Sequence, residues 1–580
     1  MAILAIIVGI VTGFGAVLFR DLIGFIHNGF FLGKFVVRYD ANQFTPASPW
    51  GPLVILVPVL GGLVVTFLVK NFAPEARGHG VPEVMDAIYY RGGVIRPVVA
   101  LVKSLASAIS IGSGAAVGRE GPIIQIGSGL GSTLGQIVRM PAGQRIILVG
   151  AGAGAGIAAT FNTPIGGVLF AIELMMPEVS ARTFLPVALA TGTATFIGRF
   201  FFGPQPAFMV PHLVPMSTDA SSAITLCLYA LLGAITGVAA AGFIRGLHFV
   251  EDIFDKIKEP YTRHALGMLL VGILIFVLQR NFGHYYVEGV GYATVQAILL
   301  GQLSAAGLLF LLYLCKMLAT SLSLGSGASG GIFSPSLFMG ATIGGTFAAL
   351  LSELHLPLQI NIPSFAMVGM GAMVGGGTGA VMTAVAMIFE MTRAYDIVMP
   401  MIVAVALSVG VRRLLSRESI YTLKLVRRGH FTPRALHANM FLVRRAKEVM
   451  ETDVVLAPAE MSFDAFISQW GDVGRMRHVA VTENNRILGV LRVNTALRVT
   501  SEGGHSSVAL RDIASRDFTI VRENDIVFDV IRRISGKKAL MALVVRGRGV
   551  PRPEAIAGVI TKEHIADSVA SSISVYPTDD

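Results

Sequence analysis

Long uncharged stretches separated by short polar segments make up the chain as far as Arg412. Ser221–Ile244 and Met317–Ser352 contain no charged residue at all. A helix needs about 20 mostly apolar residues to cross a bilayer, so the longer runs predict membrane spans and the shorter runs predict tilted or non-spanning pieces. The predicted spans are Met1–Phe19, Gly51–Val69, Ser221–Ile244, Gly289–Cys315 and Asp396–Val411, and the shorter runs are Thr183–Gly198 and Ala265–Leu278.

The composition supports a protein embedded in a lipid bilayer. Of 580 residues, 53% are hydrophobic and 14% are charged, whereas soluble domains average about 25% charged residues. Met1 leads straight into an apolar run without a basic segment or a cleavage site, which predicts a retained helix and not a signal peptide. Two cysteines, Cys227 and Cys315, both lie in apolar runs, so we expect neither a disulfide framework nor a metal site.

Positive charge collects just after the last apolar run. The net charge of +10 is concentrated there. By the positive-inside rule, this end of the membrane region and the tail behind it face the cytoplasm. Beside a membrane helix, such a basic run does not favour nucleic-acid binding. The 12 histidines form no HExxH or similar cluster, so we do not expect an enzyme. The basic residues are Arg412, Arg413, Arg417, Lys424, Arg427, Arg428, Arg434, Arg444, Arg445 and Lys447.

The glycine-rich segments repeat. Gly112–Gly131 and Gly325–Gly344 lie 213 positions apart and are identical at eight of 20 positions. Pro164–Glu173 and Val381–Glu390 form a second pair in the same order, each ending on a glutamate. Ordered similarity of this kind predicts a transporter of two repeated halves, in which broken helices from both halves meet at the substrate. Tight helix packing through glycine is the alternative, and the sequence leaves the relative orientation of the halves open.

Each glycine-rich turn precedes a proline and then an apolar helix. A helix N-terminus inside the membrane exposes unpaired N–H groups and the positive end of the helix dipole, which favours an anion. Glu120 is an ionisable residue at such an end, and an intramembrane charge predicts a functional role. A structural salt bridge between Glu120 and Arg119 is the alternative.

Four ordered motifs carry a resemblance to a known family. Gly118–Pro122 reads GREGP, Gly331–Pro335 reads GIFSP, and Gly78–Pro82 reads GHGVP. With Tyr421 in the run SIYTL, these segments resemble the signatures of the CLC family of chloride channels and chloride/proton antiporters. The resemblance covers residues 1–430. It implies a polytopic α-helical membrane protein with two repeated halves and broken helices, a homodimer, and chloride or a similar small anion as the transported ligand.

The resemblance also implies roles for individual residues. Glu120 is the expected gating group, because its ionised side chain imitates an anion and withdraws when it is protonated or displaced. The backbone amides of Ile332 and Phe333 and the phenol of Tyr421 are expected to bind the central anion, although a core tyrosine is the alternative for Tyr421. The complete predicted anion-binding set is His79, Gly118, Arg119, Gly121, Gly331, Ile332, Phe333 and Tyr421.

Two residues depart from the family pattern. His79 replaces the serine that lends its hydroxyl to the anion; a neutral imidazole still donates one N–H, and the substitution does not indicate fluoride. Leu174 replaces the second of two glutamates that relay protons in coupled antiporters, which leaves Glu173 as the candidate for a proton or water pathway. Leucine carries no proton, so we expect a gated passive chloride channel, with a proton-coupled antiporter as the alternative.

The tail beyond the membrane region predicts a cytoplasmic α/β domain. We expect a transport domain over 1–423, a basic linker over 424–444, and two modules resembling CBS domains over 445–505 and 506–580. The ribose-binding aspartate of such modules is replaced by Thr495 and His564, so adenine-nucleotide binding is not expected and no cofactor is predicted. A bacterial inner (plasma) membrane is the expected location.

Overall fold

The computed structural model describes residues 1–210, 220–355, 358, 360–431, 440–470, 478–492, 508–547 and 551–566. The chain divides into two compact units, residues 1–432 and 433–580. The first unit is helical, and the second contains two small sheets flanked by short helices. This is the polytopic helical membrane protein with an α/β tail that the sequence predicts.

Seventeen α-helices of the first unit, within its described residues, are numbered here in chain order. They are α1 (Ala2–Leu32), α2 (Leu56–Asn71), α3 (Val81–Tyr90), α4 (Pro97–Gly112), α5 (Glu120–Ile137), α6 (Ala142–Phe161), α7 (Pro164–Phe170), α8 (Ala181–Phe202), α9 (Ala220–Phe254), α10 (Pro260–Phe282), α11 (Tyr292–Leu299), α12 (Ala306–Ser326), α13 (Phe333–Glu353), α14 (Ile362–Thr378), α15 (Val381–Thr392), α16 (Val398–Leu415) and α17 (Ile420–Arg427). Short helices such as α3, α7 and α11 alternate with long ones, as expected where helices break inside a membrane.

Nine helical segments among the described residues are long and apolar enough to cross a bilayer. Two of them, Ala181–Phe202 and Pro260–Phe282, correspond to runs that the sequence predicted to be too short. Both helices carry arginines close to their ends, for example Arg199 and Arg280. Such residues interrupt an apolar run in the sequence, but their long side chains reach the membrane surface while the helix continues.

The predicted span Gly289–Cys315 is wrong. The structure breaks it into the end of α11 at Leu299 and the start of α12 at Ala306. Gly301 between them has a φ angle of +70°, which a right-handed helix excludes and which glycine tolerates. The run contains no charged residue, so its hydropathy did not show the break.

The two repeats meet through their own equivalent residues. The N–H of Gly118 donates to the carbonyl of Gly331 at 2.7 Å, and the N–H of Gly331 donates to the carbonyl of Gly118 at 2.6 Å. These glycines are 213 positions apart and occupy the same place in the two repeats. Two equivalent residues can exchange both hydrogen bonds only if a local two-fold axis passes between them. The repeat is therefore structural, and its halves face each other.

A second reciprocal pair confirms this symmetry. The N–H of Ser329 donates to the hydroxyl of Ser110 at 3.1 Å, and the N–H of Ala116 donates to the hydroxyl of Ser323 at 3.1 Å. Ser110 and Ser323 are equivalent in the repeat, as are Ala116 and Ser329. All four residues are buried. Each half thus satisfies a buried backbone donor of the other.

Glycine also permits close helix contacts, in equivalent places of the two halves. A Cβ on Gly152 in α6 would lie 2.1 Å from the carbonyl oxygen of Gly127 in α5, and a Cβ on Gly340 in α13 would lie 2.3 Å from that of Gly369 in α14. Close packing and repetition, which the sequence left as alternatives, are therefore both present.

The second unit is built from two similar three-stranded sheets. One sheet contains β1 (Val454–Pro458), β2 (His478–Glu483) and β3 (Arg486–Arg492), and the other contains β4 (Phe518–Arg522), β5 (Met541–Val545) and β6 (Ile556–Thr561). In each sheet the first two strands pair parallel and the last two antiparallel. Helices α18 (Phe463–Trp470) and α20 (Val527–Gly536) lie between the first two strands of each sheet along the chain, and a further helix, α19, spans Leu510–Ile513.

A buried cluster of Ala480, Val490, Met541, Leu543 and Val559 packs one sheet on the other. Thr495 lies outside the described residues.

We expect Gly152→Ala to destabilise the protein by about 1–3 kcal/mol, because the added methyl overpacks the α5–α6 contact. Gly192→Ala is the matched control, since Gly192 is a helical glycine of α8 whose added methyl would meet no other atom within 4 Å. Thermal unfolding of both variants in detergent is the measurement. Equal stability of Gly152→Ala and the unmodified chain would contradict the close approach of α5 and α6.

Candidate functional site

Two buried helix N-termini face the place where Gly118 of the first half pairs with Gly331 of the second, which is called the junction of the halves here. Helix α5 begins at Glu120 and helix α13 begins at Phe333, directly after the paired glycines. The first amide groups of a helix have no intrahelical acceptor, and they carry the positive end of the helix dipole. Pro122 and Pro335 follow in the first turns, where the lack of an N–H is tolerated. The junction is therefore suited to negative charge, as the sequence predicted.

Glu120 places its carboxylate at the N-terminus of the opposite half. The side chain is 1% exposed. Its carboxylate accepts hydrogen bonds from the phenol of Tyr292 at 2.6 Å, from the N–H of Ser334 at 3.2 Å and from the hydroxyl of Ser334. Among the described residues it forms no ion pair with Arg119, so the salt-bridge alternative is wrong. The carboxylate is bound as an anion would be.

Arg119 makes a cation–π contact with Tyr292, whose phenol donates to the Glu120 carboxylate. Its guanidinium lies over the rings of Phe161 and Tyr292, 5.1 Å and 5.2 Å from their centroids. A guanidinium over an aromatic face is attracted by the ring quadrupole. Arg119 therefore positions Tyr292, the hydrogen-bond donor to Glu120. The predicted anion contact of Arg119 itself stays a prediction.

His79 is fully buried at the same junction. Neither ring nitrogen has a hydrogen-bond partner among the described residues. The backbone of His79 is in tight contact with Gly121, since a Cβ on Gly121 would lie 2.0 Å from the His79 carbonyl oxygen and 3.0 Å from the Cα of Gly331. The structure thus brings together His79, Gly121 and Gly331 from three predicted motifs. An unpaired buried donor costs about 1–3 kcal/mol, which a small anion would recover.

The backbone amides of the paired glycines and those of the residues that follow them differ in what they can bind. The N–H group of each of Gly118 and Gly331 donates to the carbonyl oxygen of the other, so in this structure these two amides are not free for the predicted anion contact. Ile332 is the N-cap of α13 and Phe333 its first residue, and amides at these positions have no acceptor within their helix. They remain the best placed backbone donors at this junction.

Tyr421 lies in the first turn of α17 and is 2% exposed. Helix α17 packs on α3, which begins two residues after His79. An ion pair between Glu83 of α3 and Arg428, just beyond α17, fixes the two helices, with one N–O distance of 2.9 Å. Tyr421 and His79 are therefore carried by elements that are tied together.

Glu173 has a defined structural partner. Its carboxylate accepts hydrogen bonds from the N–H and the hydroxyl of Thr383 at 2.8 Å and 2.7 Å, at the start of α15. Glu390, its counterpart in the other half, accepts from the N–H of Gly166 at 2.7 Å, at the start of α7. A carboxylate is stabilising at a helix N-terminus. Each glutamate caps a helix of the opposite half, and the proton or water pathway through Glu173 stays a prediction.

Sequence reasoning missed Tyr292 and Ser334. Ser334 lies inside the motif Gly331–Pro335, and a search for hydroxyl donors in that motif would have found it. Tyr292 begins the short helix α11, and it is 172 positions from Glu120. No local pattern points to it.

Known proteins resemble the chain over most of its length. A family described as voltage gated chloride channel matches residues 61–413. A ClcB-like protein of Ralstonia nicotianae, whose name places it among chloride channel proteins, is 34% identical over 391 residues, covering 66% of this chain and 87% of that protein. The H⁺/Cl⁻ exchange transporter ClcA of Salmonella paratyphi B is 31% identical over 434 residues, covering 73% of this chain and 88% of the transporter.

Solved structures show the same fold. The crystal structure of a slow cyanobacterial Cl⁻/H⁺ antiporter has a TM-score of 0.65 at 26% identity and covers 73% of this chain and 97% of the antiporter. A eukaryotic CLC transporter has a TM-score of 0.59 at 20% identity, and the match covers 97% of each chain. The second likeness shows the fold alone, and it extends into the tail.

We expect a halide ion to replace the carboxylate in Glu120→Gln, because removing the charge frees the N–H of Ser334 and the phenol of Tyr292. Crystals soaked in bromide should show anomalous density beside these two donors. Glu353→Gln, an exposed glutamate at the far end of α13, is the control and should leave that position to Glu120. An ion bound only at the surface of both variants would contradict the site.

Proposed function

The chain belongs to the voltage-gated chloride channel (CLC) family of membrane anion transporters, and from this we propose that it exchanges chloride for protons. Leu174 in place of the relay glutamate favours a passive channel. The relatives favour the alternative, since they include proteins named H⁺/Cl⁻ exchange transporter and structures titled as antiporters. We therefore place exchange before passive conduction.

The binding of the Glu120 carboxylate at the start of α13 carries the proposal. An ionised carboxylate and a chloride ion compete for the same donors, the N–H of Ser334 and the phenol of Tyr292. Protonation removes the charge of the carboxylate and with it the attraction of the helix dipole. The neutral side chain then leaves, and chloride enters. Because a proton must arrive for the anion to pass, one group links the two movements.

The central anion in this proposal lies next to the same junction. The amides of Ile332 and Phe333, the imidazole N–H of His79 and the phenol of Tyr421 are its donors. The burial of His79 without a partner for either ring nitrogen among the described residues supports this assignment. A neutral imidazole donates one N–H, as the serine hydroxyl it replaces would.

Proton delivery from the cytoplasmic side needs a group other than Leu174. His79 has an intrinsic affinity for protons in the physiological range, and it is buried at the junction. A relay requires a continuous path, whereas an anion ligand requires a single contact. We therefore propose His79 as an anion ligand and keep the relay as the second role that experiment should distinguish.

Assembly and location complete the proposal. We propose a homodimer with one pathway in each subunit, in a bacterial inner membrane, with the tail in the cytoplasm. The basic residues around Arg412 support this orientation by the positive-inside rule. Two sheets of identical strand order support a pair of CBS modules in the tail, with a structural role and without a bound nucleotide.

Reconstituted protein under a chloride gradient, with no imposed pH gradient, should move protons against the direction of chloride. In Glu120→Gln the proton movement should disappear while chloride flux persists, because the variant side chain cannot be protonated or charged. Glu353→Gln should behave as the unmodified chain. Fast chloride flux without proton movement in the unmodified chain would overturn exchange and restore the passive channel.

His79→Ser should keep proton coupling and weaken or alter anion binding, since a hydroxyl replaces the imidazole donor. Chloride affinity and proton-to-chloride stoichiometry of the reconstituted variant are the measurements. If proton movement is lost while chloride still flows, His79 is the relay and its assignment as a ligand is wrong.

A further inference from the structure

Three metal-binding side chains converge in the second unit, away from the membrane. Glu451 precedes β1, His478 is the first residue of β2, and His564 follows β6. The backbone of Glu451 is fixed to β6 by two hydrogen bonds with Val559, of 2.9 Å and 2.8 Å. The three side chains therefore lie where the two sheets of the unit meet.

The distances fit ligands of one ion. Oε2 of Glu451 lies 2.6 Å from Nε2 of His564 and 3.5 Å from Nε2 of His478, and the candidate ligand atoms all lie within 4.8 Å of one another. Zinc binds nitrogen and oxygen at about 2.0–2.1 Å in a tetrahedron, which places its ligand atoms about 3.3 Å apart. Shifts of under about 1 Å for each ligand atom would complete this geometry.

The ordinary alternative is a hydrogen-bonded Glu–His cluster. The 2.6 Å contact between Oε2 of Glu451 and Nε2 of His564 is short enough for a hydrogen bond, but Oε2 has no hydrogen-bond partner of suitable geometry among the described residues. The 3.5 Å separation of Glu451 from His478 is too long for a good hydrogen bond, but it is normal for two ligands on one metal. The imidazole rings of His478 and His564 are perpendicular, at 89°, with centroids 5.5 Å apart, so the two rings are not stacked on each other.

Burial holds the ligands and leaves an entrance. The His478 side chain is 6% exposed, that of His564 17% and that of Glu451 30%. Strand β2 and the cluster between the sheets fix His478. Oε2 of Glu451 is itself buried, while the rest of the Glu451 side chain is partly exposed. A rotation of the partly exposed Glu451 side chain would therefore let an ion reach the site without unfolding the unit.

We propose that Glu451, His478 and His564 bind a divalent transition-metal ion of the zinc type, with water as the fourth ligand. Two imidazoles favour such metals over magnesium and calcium, which prefer oxygen ligands. Coordination through Nε2 requires the ring proton of neutral His564 on Nδ1. The long contact from the N–H of Thr561 to that nitrogen, 3.4 Å, is then given up. The ion would connect His564, which follows the second sheet, to His478 in the first.

The test uses the full chain in detergent, freed of metal by a chelator and dialysed against zinc chloride. We expect one tightly bound zinc ion per chain that excess magnesium does not displace. Glu451→Gln and His564→Gln should each weaken zinc binding at least about tenfold, since loss of even indirect support at a metal site has that effect. The matched controls are Glu448→Gln, an exposed neighbour of Glu451, and His355→Gln in the other unit. Neither should change zinc binding.

Cobalt substitution gives a readout that needs no variant. Co²⁺ bound to the unmodified chain should show the intense visible absorption of a four-coordinate ion, and zinc should abolish it. Absence of bound zinc, the weak absorption of six-coordinate cobalt, or zinc binding unchanged in folded Glu451→Gln would each overturn the proposal. If His564→Gln does not fold, Glu451→Gln and the cobalt spectrum still decide the matter.

Discussion

The reciprocal hydrogen bonds between Gly118 and Gly331 are the constraint on which the transport site depends. Non-helical backbone at membrane depth must find its hydrogen-bond partners within the protein. Here two irregular segments satisfy each other, and in doing so they fix both helix N-termini at one buried point. A Cβ on Gly331 would lie 2.7 Å from the backbone nitrogen of Gly121, and a Cβ on Gly118 would lie 2.1 Å from the carboxylate of Glu120. Glycine is thus required by space as well as by pairing.

Buried lysines fix the neighbouring loops in the same symmetric way. Lys103 and Lys316 are equivalent in the repeat, and both are fully buried. Each ammonium group donates to two backbone carbonyls at the loop before a short helix, α3 or α11. The acceptors are Ala76 and Gly78 for Lys103, at 2.9 Å and 2.7 Å, and Val287 and Gly289 for Lys316, at 2.9 Å and 2.8 Å. These two buried lysines therefore hold broken backbone in place.

The sequence predicted the parts of the site that are local. The spacing of glycine, proline and glutamate predicted that a helix begins after each glycine-rich turn and that Glu120 lies at such a helix N-terminus. The donors that hold Glu120 could not be predicted in this way, because Tyr292 comes from a separate short helix and meets the carboxylate only in the folded protein. Leu174 led the sequence-based mechanism towards a channel, since one missing side chain in a motif cannot reveal whether another route replaces it.

The reciprocal caps of Glu173 and Glu390 have a consequence for how the protein is made. Helix α7 is complete at its N-terminus only when Glu390, 224 positions beyond Gly166, has left the ribosome. At about 5–20 residues per second, that residue follows roughly 10 to 45 seconds later. Throughout that interval the N-terminal amides of α7 lack the carboxylate that accepts their hydrogen bonds in the folded protein. The two halves therefore mature together, and translation of the second is the step that completes the first.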